Sequence, residues 1–290
     1  MTASVLTQRQ TQRQARRLPL TGALRGTGIA GHVSAVIIVL AALVAVFGRW
    51  IAPYNTVDPN TMLAFVGPAG GHLLGFDFEG RDVLSRLLAG AQTSMIGPLA
   101  VVSISLLAGV ALAVTSAWRR GAVDATISAG LGIVFAFPGI LLAVLSTAVF
   151  GAGLPAAAIA LAVAYVPYVA RVLRGAALKE RSQPYVAALE VQGVPGWAIC
   201  VKHIIPNMSA LIVAQATIMF GWAMVDLAAI SFLGLGVQAP TPDWGVMISE
   251  NAVGIQQGYP LPALAAGACV IIVVIAFNVL GERLLERSGS

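Results

Sequence analysis

ATISAGLGIVFAFPGILLAVLSTAVFGAGLPAAAIALAVAYVPYVA, residues 125–170, runs for 46 residues without a charged side chain. A helix needs ~20 mostly apolar residues to cross a bilayer, so this run is too long for one crossing and long enough for two. Gly151-Ala152-Gly153-Leu154-Pro155 is a turn signal that divides it into a third and a fourth span of the chain. Phe137-Pro138-Gly139 interrupts the third span and Pro167 the fourth. Proline removes a backbone donor and kinks a helix. Such breaks in transporters line cavities or permit rocking, and elsewhere they are packing distortions; both readings stand. Small residues crowd the fourth span (Ala156-Ala157-Ala158, Ala160, Ala162, Ala164) and allow close helix–helix approach.

Outward from this run, four further stretches have the length and apolarity of spans. They are residues 33–52, 94–118, 207–225 (bounded by Asp226) and 261–280, ended by Gly281-Glu282-Arg283. The chain therefore reads as an all-α membrane protein of six transmembrane helices. Composition agrees: 58% of the 290 residues are hydrophobic and 10% charged, against ~45–50% and ~25% in soluble domains. A mean hydropathy of +0.87 cannot be buried in a soluble globule of this size. An ordinary soluble enzyme, a disordered chain and a disulfide scaffold are excluded. The two cysteines, Cys200 and Cys269, read as free thiols in apolar surroundings.

The charges orient the spans. Of 17 basic residues only Arg49, Arg81 and Arg86 fall on one side of the six-span arrangement, together with Asp58, Asp77, Glu79, Asp82, Asp243 and Glu250. The remainder lie in the N-terminal tail, after the second span, between the fourth and fifth, and after the sixth. By the positive-inside rule both termini are expected in the cytoplasm. A net charge of +5, scattered in this way, does not point to nucleic acid. The tail, with its TQRQTQRQARR segment, reads as a polar, basic stretch touching anionic headgroups. It is long for a signal-peptide n-region and no A-x-A site follows the first apolar run, which reads as an uncleaved anchor.

Three segments between spans are too long to be mere connectors: residues 53–93 and 227–260 outside, and 171–206 inside. In the inside segment Pro184 can open a short helix, Tyr185 to Val191 continue it, and Gly193 breaks it. Val194-Pro195-Gly196 then turns the chain into a second short helix, Trp197 to Ile204, ahead of Pro206. Ala187 and Ala188 leave a surface that another protein can approach closely. Spacing alone favours an amphipathic connector lying on the membrane over a docking surface.

Outside, His72, Asp77, Glu79 and Asp82 lie close together without a familiar ligand spacing. Loop hydrogen bonds and an ion-pair cluster with Arg81 and Arg86 account for them better than a metal. Asp226 reads as a solvated residue at the end of the fifth span, or as one facing a translocation path. Asp124, beside Arg119 and Arg120, reads as an N-cap or helix-dipole residue. No span holds an ionisable residue near its centre on this reading, which argues against a self-sufficient ion-coupled carrier or channel. A membrane enzyme would need a cluster of catalytic polar residues, and only residues 72–86 come near one. The only lysines, Lys179 and Lys202, lack the G-x-x-x-x-G-K-[ST] context, so no P-loop is present; nor is a G-x-S-x-G or H-E-x-x-H motif.

Several motifs add a resemblance. The pattern from Ala187-Ala188 through Gly193 to Ile204-Ile205-Pro206 resembles the "EAA" motif of binding-protein-dependent ABC importer permeases, with Ala187 at the motif's Glu and Leu189 at its second Ala. His72-Leu73-Leu74-Gly75-Phe76-Asp77 with GRDVLSRLL at 80–88 resembles a stretch of the C-type subunit of dipeptide/oligopeptide/nickel permeases; Leu73 replaces the usual Pro. Ser231-Phe232-Leu233-Gly234-Leu235-Gly236, followed by Pro240, Pro242, Trp244 and Gly245, resembles that subfamily's SFLGLGxQPPxPxWG; the usual upstream Glu aligns with Leu227, next to Asp226. Phe277-Asn278-Val279-Leu280-Gly281 resembles its C-terminal motif.

The resemblance implies a type I ABC importer permease (MetI-like) fold, in a multi-pass protein of a bacterial inner or plasma membrane. It divides the chain into a basic tail (1–31), a first helix and extracytoplasmic loop (32–93), a core permease domain (94–283) with a coupling element at 183–206, and a C-terminal tail (284–290). It implies that Tyr185, Ala187, Ala188, Glu190, Gly193, Ile204 and Pro206 belong to the ATPase-coupling element. His72, Asp77, Arg81, Asp82, Ser231, Phe232, Gly234, Gly236 and Trp244 would belong to the binding-protein or pathway side. The implied partners are a second, homologous permease, two cytoplasmic ATPase subunits carrying ATP and Mg, and an extracytoplasmic solute-binding protein, in a lipid bilayer. This chain would hold no cofactor or metal and no catalytic residue, and the implied cargo is a di- or oligopeptide.

Overall fold

A computed structural model describes residues 28–288, with side chains to residue 286. Most of the basic tail and the last residues of the C-terminal tail lie outside the described residues. The described residues are mainly helical; among them the only β pairing is two isolated bridges, Ala69 with His72 and Phe76 with Asp82. Its main helices are α1 (Gly28–Ile51), α2 (Val83–Arg119), α3 (Gly121–Phe135), α4 (Gly139–Phe150), α5 (Leu154–Arg181), α6 (Pro184–Val191), α7 (Gly196–Ile199), α8 (Ser209–Phe232), α9 (Trp244–Glu250), α10 (Ala252–Gln256) and α11 (Leu261–Ser288).

Five of these are long and apolar enough to cross a membrane, and α3 with α4 makes up to 6 if that pair, bent by 77°, is one span. The expected six-span arrangement therefore holds with a broken third member. The break falls at Phe137-Pro138-Gly139. Pro138 caps α4 in an extended conformation (φ −60, ψ 127), and its missing N–H removes a helical hydrogen bond there. Pro167 behaves differently. It lies buried inside α5, which runs through it without interruption, so the expected break in the fourth span is not present.

Other boundaries also move. The second span begins at Val83 rather than Ser94, because Asp82 caps it: its Oδ2 accepts from the Ser85 N–H at 2.7 Å. The fifth span runs to Phe232, so Asp226 is inside α8, more than a turn from its end, not at the boundary. Asp124 does not cap α3, whose N-cap is Arg120; it is in the first turn and pairs with Arg174 of α5 rather than with Arg119 or Arg120.

The core is built on α2 against α5, with α8 against α2 and α11, and α1 lying across α2 and α11. Val101, Leu161, Leu173, Met219, Met224 and Ile230 are fully buried between them. The interfaces are close because small residues line them. A Cβ on Gly109 of α2 would fall 2.4 Å from Val169 Cγ1 of α5, and one on Gly48 of α1 only 2.0 Å from the Leu88 carbonyl oxygen. Most side chains of α1 face outward, as they must if lipid is their solvent.

Since the obstacle at Gly48 is backbone, it cannot yield by changing rotamer. Gly48→Ala should pry α1 off α2 and lower stability by about 1–3 kcal/mol. Thermal melts of the detergent-solubilised protein should show the drop in Tm; an unchanged Tm would show that α1 is not held at this crossing.

Candidate functional site

Two regions combine close packing with polar side chains, at opposite ends of α2. The first gathers the 53–82 loop, the start of α2 and helix α9. Arg81 Nε donates to Asp77 Oδ2 at 2.8 Å, and its Nη1 lies 2.7 Å from Glu79 Oε2. Arg81 Nη2 and Arg86 Nη2 both donate to Glu250 Oε2, at 3.0 and 2.7 Å. The side chains of Arg81, Arg86 and Asp77 are wholly buried. Buried guanidinium groups persist only when paired, and here three carboxylates face two of them. Burial pushes the Glu250 carboxyl above the usual range, and Arg86 and then Arg81 pull it back.

The same knot fixes the loops. His72 Nδ1 is 2.8 Å from Asp82 Oδ1, and its ring stacks on Tyr54 with centroids 4.0 Å apart. The Phe78 N–H donates to Asn251 Oδ1 at 3.0 Å. Asp243, the cap of α9, accepts from the N–H groups of Gly245 and Val246 and from Ser94 Oγ of α2. Its carboxyl is raised by burial and lowered by those donors. Trp244 is buried, its Nε1 donating to the Leu87 carbonyl at 3.0 Å. Ser231 Oγ accepts from the Val237 N–H, and Gly236 packs on Ser231, where no Cβ would fit. Phe232 and Gly234 are exposed; Gly234 takes φ +75, the left-handed conformation that ends α8.

The ion-pair reading of Arg81 and Arg86 thus holds. Its missing member was Glu250, while Asn251 and Asp243 make the neighbouring loop contacts; all three are far away in sequence and marked only by being acidic or amide groups on the same side. Among the described residues no group of three or more His, Cys, Asp or Glu is arranged to hold a metal ion.

At the other end of α2, α6 and α7 form a short helix, a turn and a second short helix. Pro184 opens α6, and Gly193 (φ +76) closes it with the Val194 N–H bonded to the Leu189 carbonyl. The second helix is shorter than expected: α7 ends at Ile199, and a π turn, Cys200–Ile204, carries the chain on toward Pro206 and α8.

One side of the element is anchored. Val186 and Ile204 are buried. Gly196 lies against the Trp118 indole, and Arg181 stacks on that ring at 4.6 Å while donating to the Ala117 and Trp118 carbonyls. Tyr185 Oη donates to Glu180 Oε1 at 2.7 Å, and Asn207 Nδ2 donates to the same oxygen. Burial and then Glu180 push the Tyr185 hydroxyl up to about 12. The other side is open: Ala187, Ala188, Glu190, Gly193 and Pro206 are exposed, as are Val191 (90%) and Trp197 (68%).

Arg86→Gln should leave Glu250 and Asp77 with Arg81 alone and cost about 3 kcal/mol at neutral pH. Arg86 holds the Glu250 carboxyl down, so its loss raises that carboxyl further, and the penalty arises only while Glu250 is ionised. The deficit should therefore shrink as pH falls through the titration of Glu250, first in the variant and then in wild type, both above the usual carboxylate range. Melts of wild type and variant across pH check this; a deficit independent of pH would contradict it.

Residues 105–288 match the family described as "Binding-protein-dependent transport system inner membrane component". The chain is 35% identical over 254 residues to the dipeptide transport system permease protein DppC of Alkalihalophilus pseudofirmus, covering 88% of this chain and 83% of the relative. It is 36% identical over 256 residues to the glutathione transport system permease protein GsiD of Escherichia coli O157:H7, covering 87% and 84%. The GsiD of Shigella sonnei matches to the same extent. Apolar helices able to cross a bilayer agree with an inner membrane component. The chain belongs to the binding-protein-dependent transport system inner membrane components: it is a multi-pass permease subunit of an ABC importer, without an ATPase site of its own.

Proposed function

We propose that this subunit, paired with a second homologous permease, forms the pathway for uptake of di- or oligopeptides. Peptide cargo is supported by the relatives, a dipeptide and a glutathione permease, and by the sequence motifs shared with the peptide subfamily. The observation that carries the mechanism is the element at 183–206. It is bolted to the ends of α2 and α5 through Trp118 and Arg181, yet presents Ala187, Ala188, Val191, Gly193 and Trp197 outward. A rigidly anchored, partly apolar face is suited to dock another protein. Its occupant is a cytoplasmic ATPase subunit, with ATP and Mg bound there and not on this chain. Both termini then lie in the cytoplasm. The loops held by Arg81, Arg86 and Glu250 lie outside, where a solute-binding protein delivers cargo.

ATP binding draws two such ATPases together and moves their docked elements. Because Arg181 and Trp118 tie the element to α5 and α2, the displacement passes into the helix bundle and rocks it from inward- to outward-open; hydrolysis resets it. Nucleotide thus biases two packed states through a mechanical contact.

Affinity purification from native membranes with mass spectrometry should recover a second six-span permease and a P-loop ATPase. A single-chain oligomer that transports in liposomes without ATP would overturn the reading. Ala188→Arg and Gly193→Glu should insert normally in the membrane but lower ATPase co-purification by about tenfold or more, since an unpaired charge at a packed contact costs several kcal/mol. Normal co-purification and uptake in both variants would refute the docking assignment.

A further inference from the structure

A cavity of about 430 Å3 opens beside the break between α3 and α4, walled by Phe135, Phe137, Tyr168, Trp222, Tyr165 and Asp226. Its volume is in the range of small-ligand sites. Asp226 is its only acidic wall residue, and α8 places it within a membrane-spanning helix. The Tyr165 hydroxyl donates to Asp226 Oδ2 at 2.8 Å; among the described residues no cationic side chain pairs with the carboxylate, and Oδ1 has no protein donor. A charged group costs ~2.5–3.5 kcal/mol at the centre of a spanning helix on insertion scales, so one inside a span is retained facing a polar path or a partner charge. The surrounding rings favour the same occupant, because aromatic faces attract cations. Trp222 and Tyr168 meet edge to face with centroids 5.3 Å apart and are held in place, Tyr168 by its hydroxyl's bond to Gln215 Oε1.

We propose that Asp226 and Tyr165, with these aromatic walls, form a pathway subsite for a primary ammonium group, which in a peptide cargo is the free α-amino terminus. Asp226 accepts from the ammonium through Oδ1, while Tyr165 holds the carboxylate in position through Oδ2. The inference rests on the peptide reading above.

The test is uptake of radiolabelled dialanine and N-acetyl-dialanine by the assembled importer in proteoliposomes, with each rate normalised to the amount of complex. Asn at position 226 keeps the acceptor for Tyr165 and removes the charge. Asp226→Asn should lower the ratio of free to acetylated uptake by about tenfold, the worth of one hydrogen bond to a charged group. Asp226→Glu should retain most of the wild-type ratio, which a merely structural role for the carboxylate would not require. The same ratio in wild type and Asp226→Asn would overturn the subsite, with the peptide reading intact. If the wild type takes up neither compound, the peptide reading fails and this inference with it.

Discussion

The close approach of α2 and α5 is the contact on which the other parts depend. Lipid offers helices no hydrophobic reason to associate, so packing must come from shape. Gly109 lets Val169 enter the groove of α2, and the buried alanines of α5 keep that distance along the interface. Helix α2 is long, 37 residues from Val83 to Arg119, and runs through Pro98 from one polar region to the other. At its start it holds Arg86, Ser94 and the carbonyl of Leu87; at its end it holds Trp118.

The two ends use different physics for different purposes. At the Arg81–Arg86 end, charge is taken out of water and paired, which is costly unless every partner is in place. Such a knot tolerates little rearrangement, and it ties the loop after α1 to helix α9 across a long stretch of sequence. At the α6–α7 end, the anchoring side uses burial, ring stacking and bonds to free helix-end carbonyls, and the opposite side is left unpaired.

The bent α3–α4 pair differs from the rest. No residue of α3 is buried, and α4 buries only Ala143 and Thr147, so this pair leans on the bundle rather than belonging to its core. Its link to the core is the Arg174 pair with Asp124 and the packing of α4 on α5. A broken helix held this way leaves backbone and side chains free to border a cavity, where irregular backbone is permitted at membrane depth.

Sequence by itself determined the class of the molecule. Hydrophobic runs, their lengths and the distribution of arginine are one-dimensional properties, and a bilayer reads them in one dimension. The break at Pro138 and the turn at Gly193 were legible for a similar reason: a missing donor and a left-handed backbone are local demands. The ends of the second and fifth spans were not. Val83 to Thr93 is helical because Asp82 caps it and α9 packs beside it; Asp226 lies within a helix, where Tyr165 from another helix meets one of its two oxygens. The same holds for Glu250 and Asn251, which complete a cluster more than 160 residues away. Only tertiary structure could decide these, because whether a charge ends a helix or is buried in one depends on the partner that meets it, and that partner is distant along the chain.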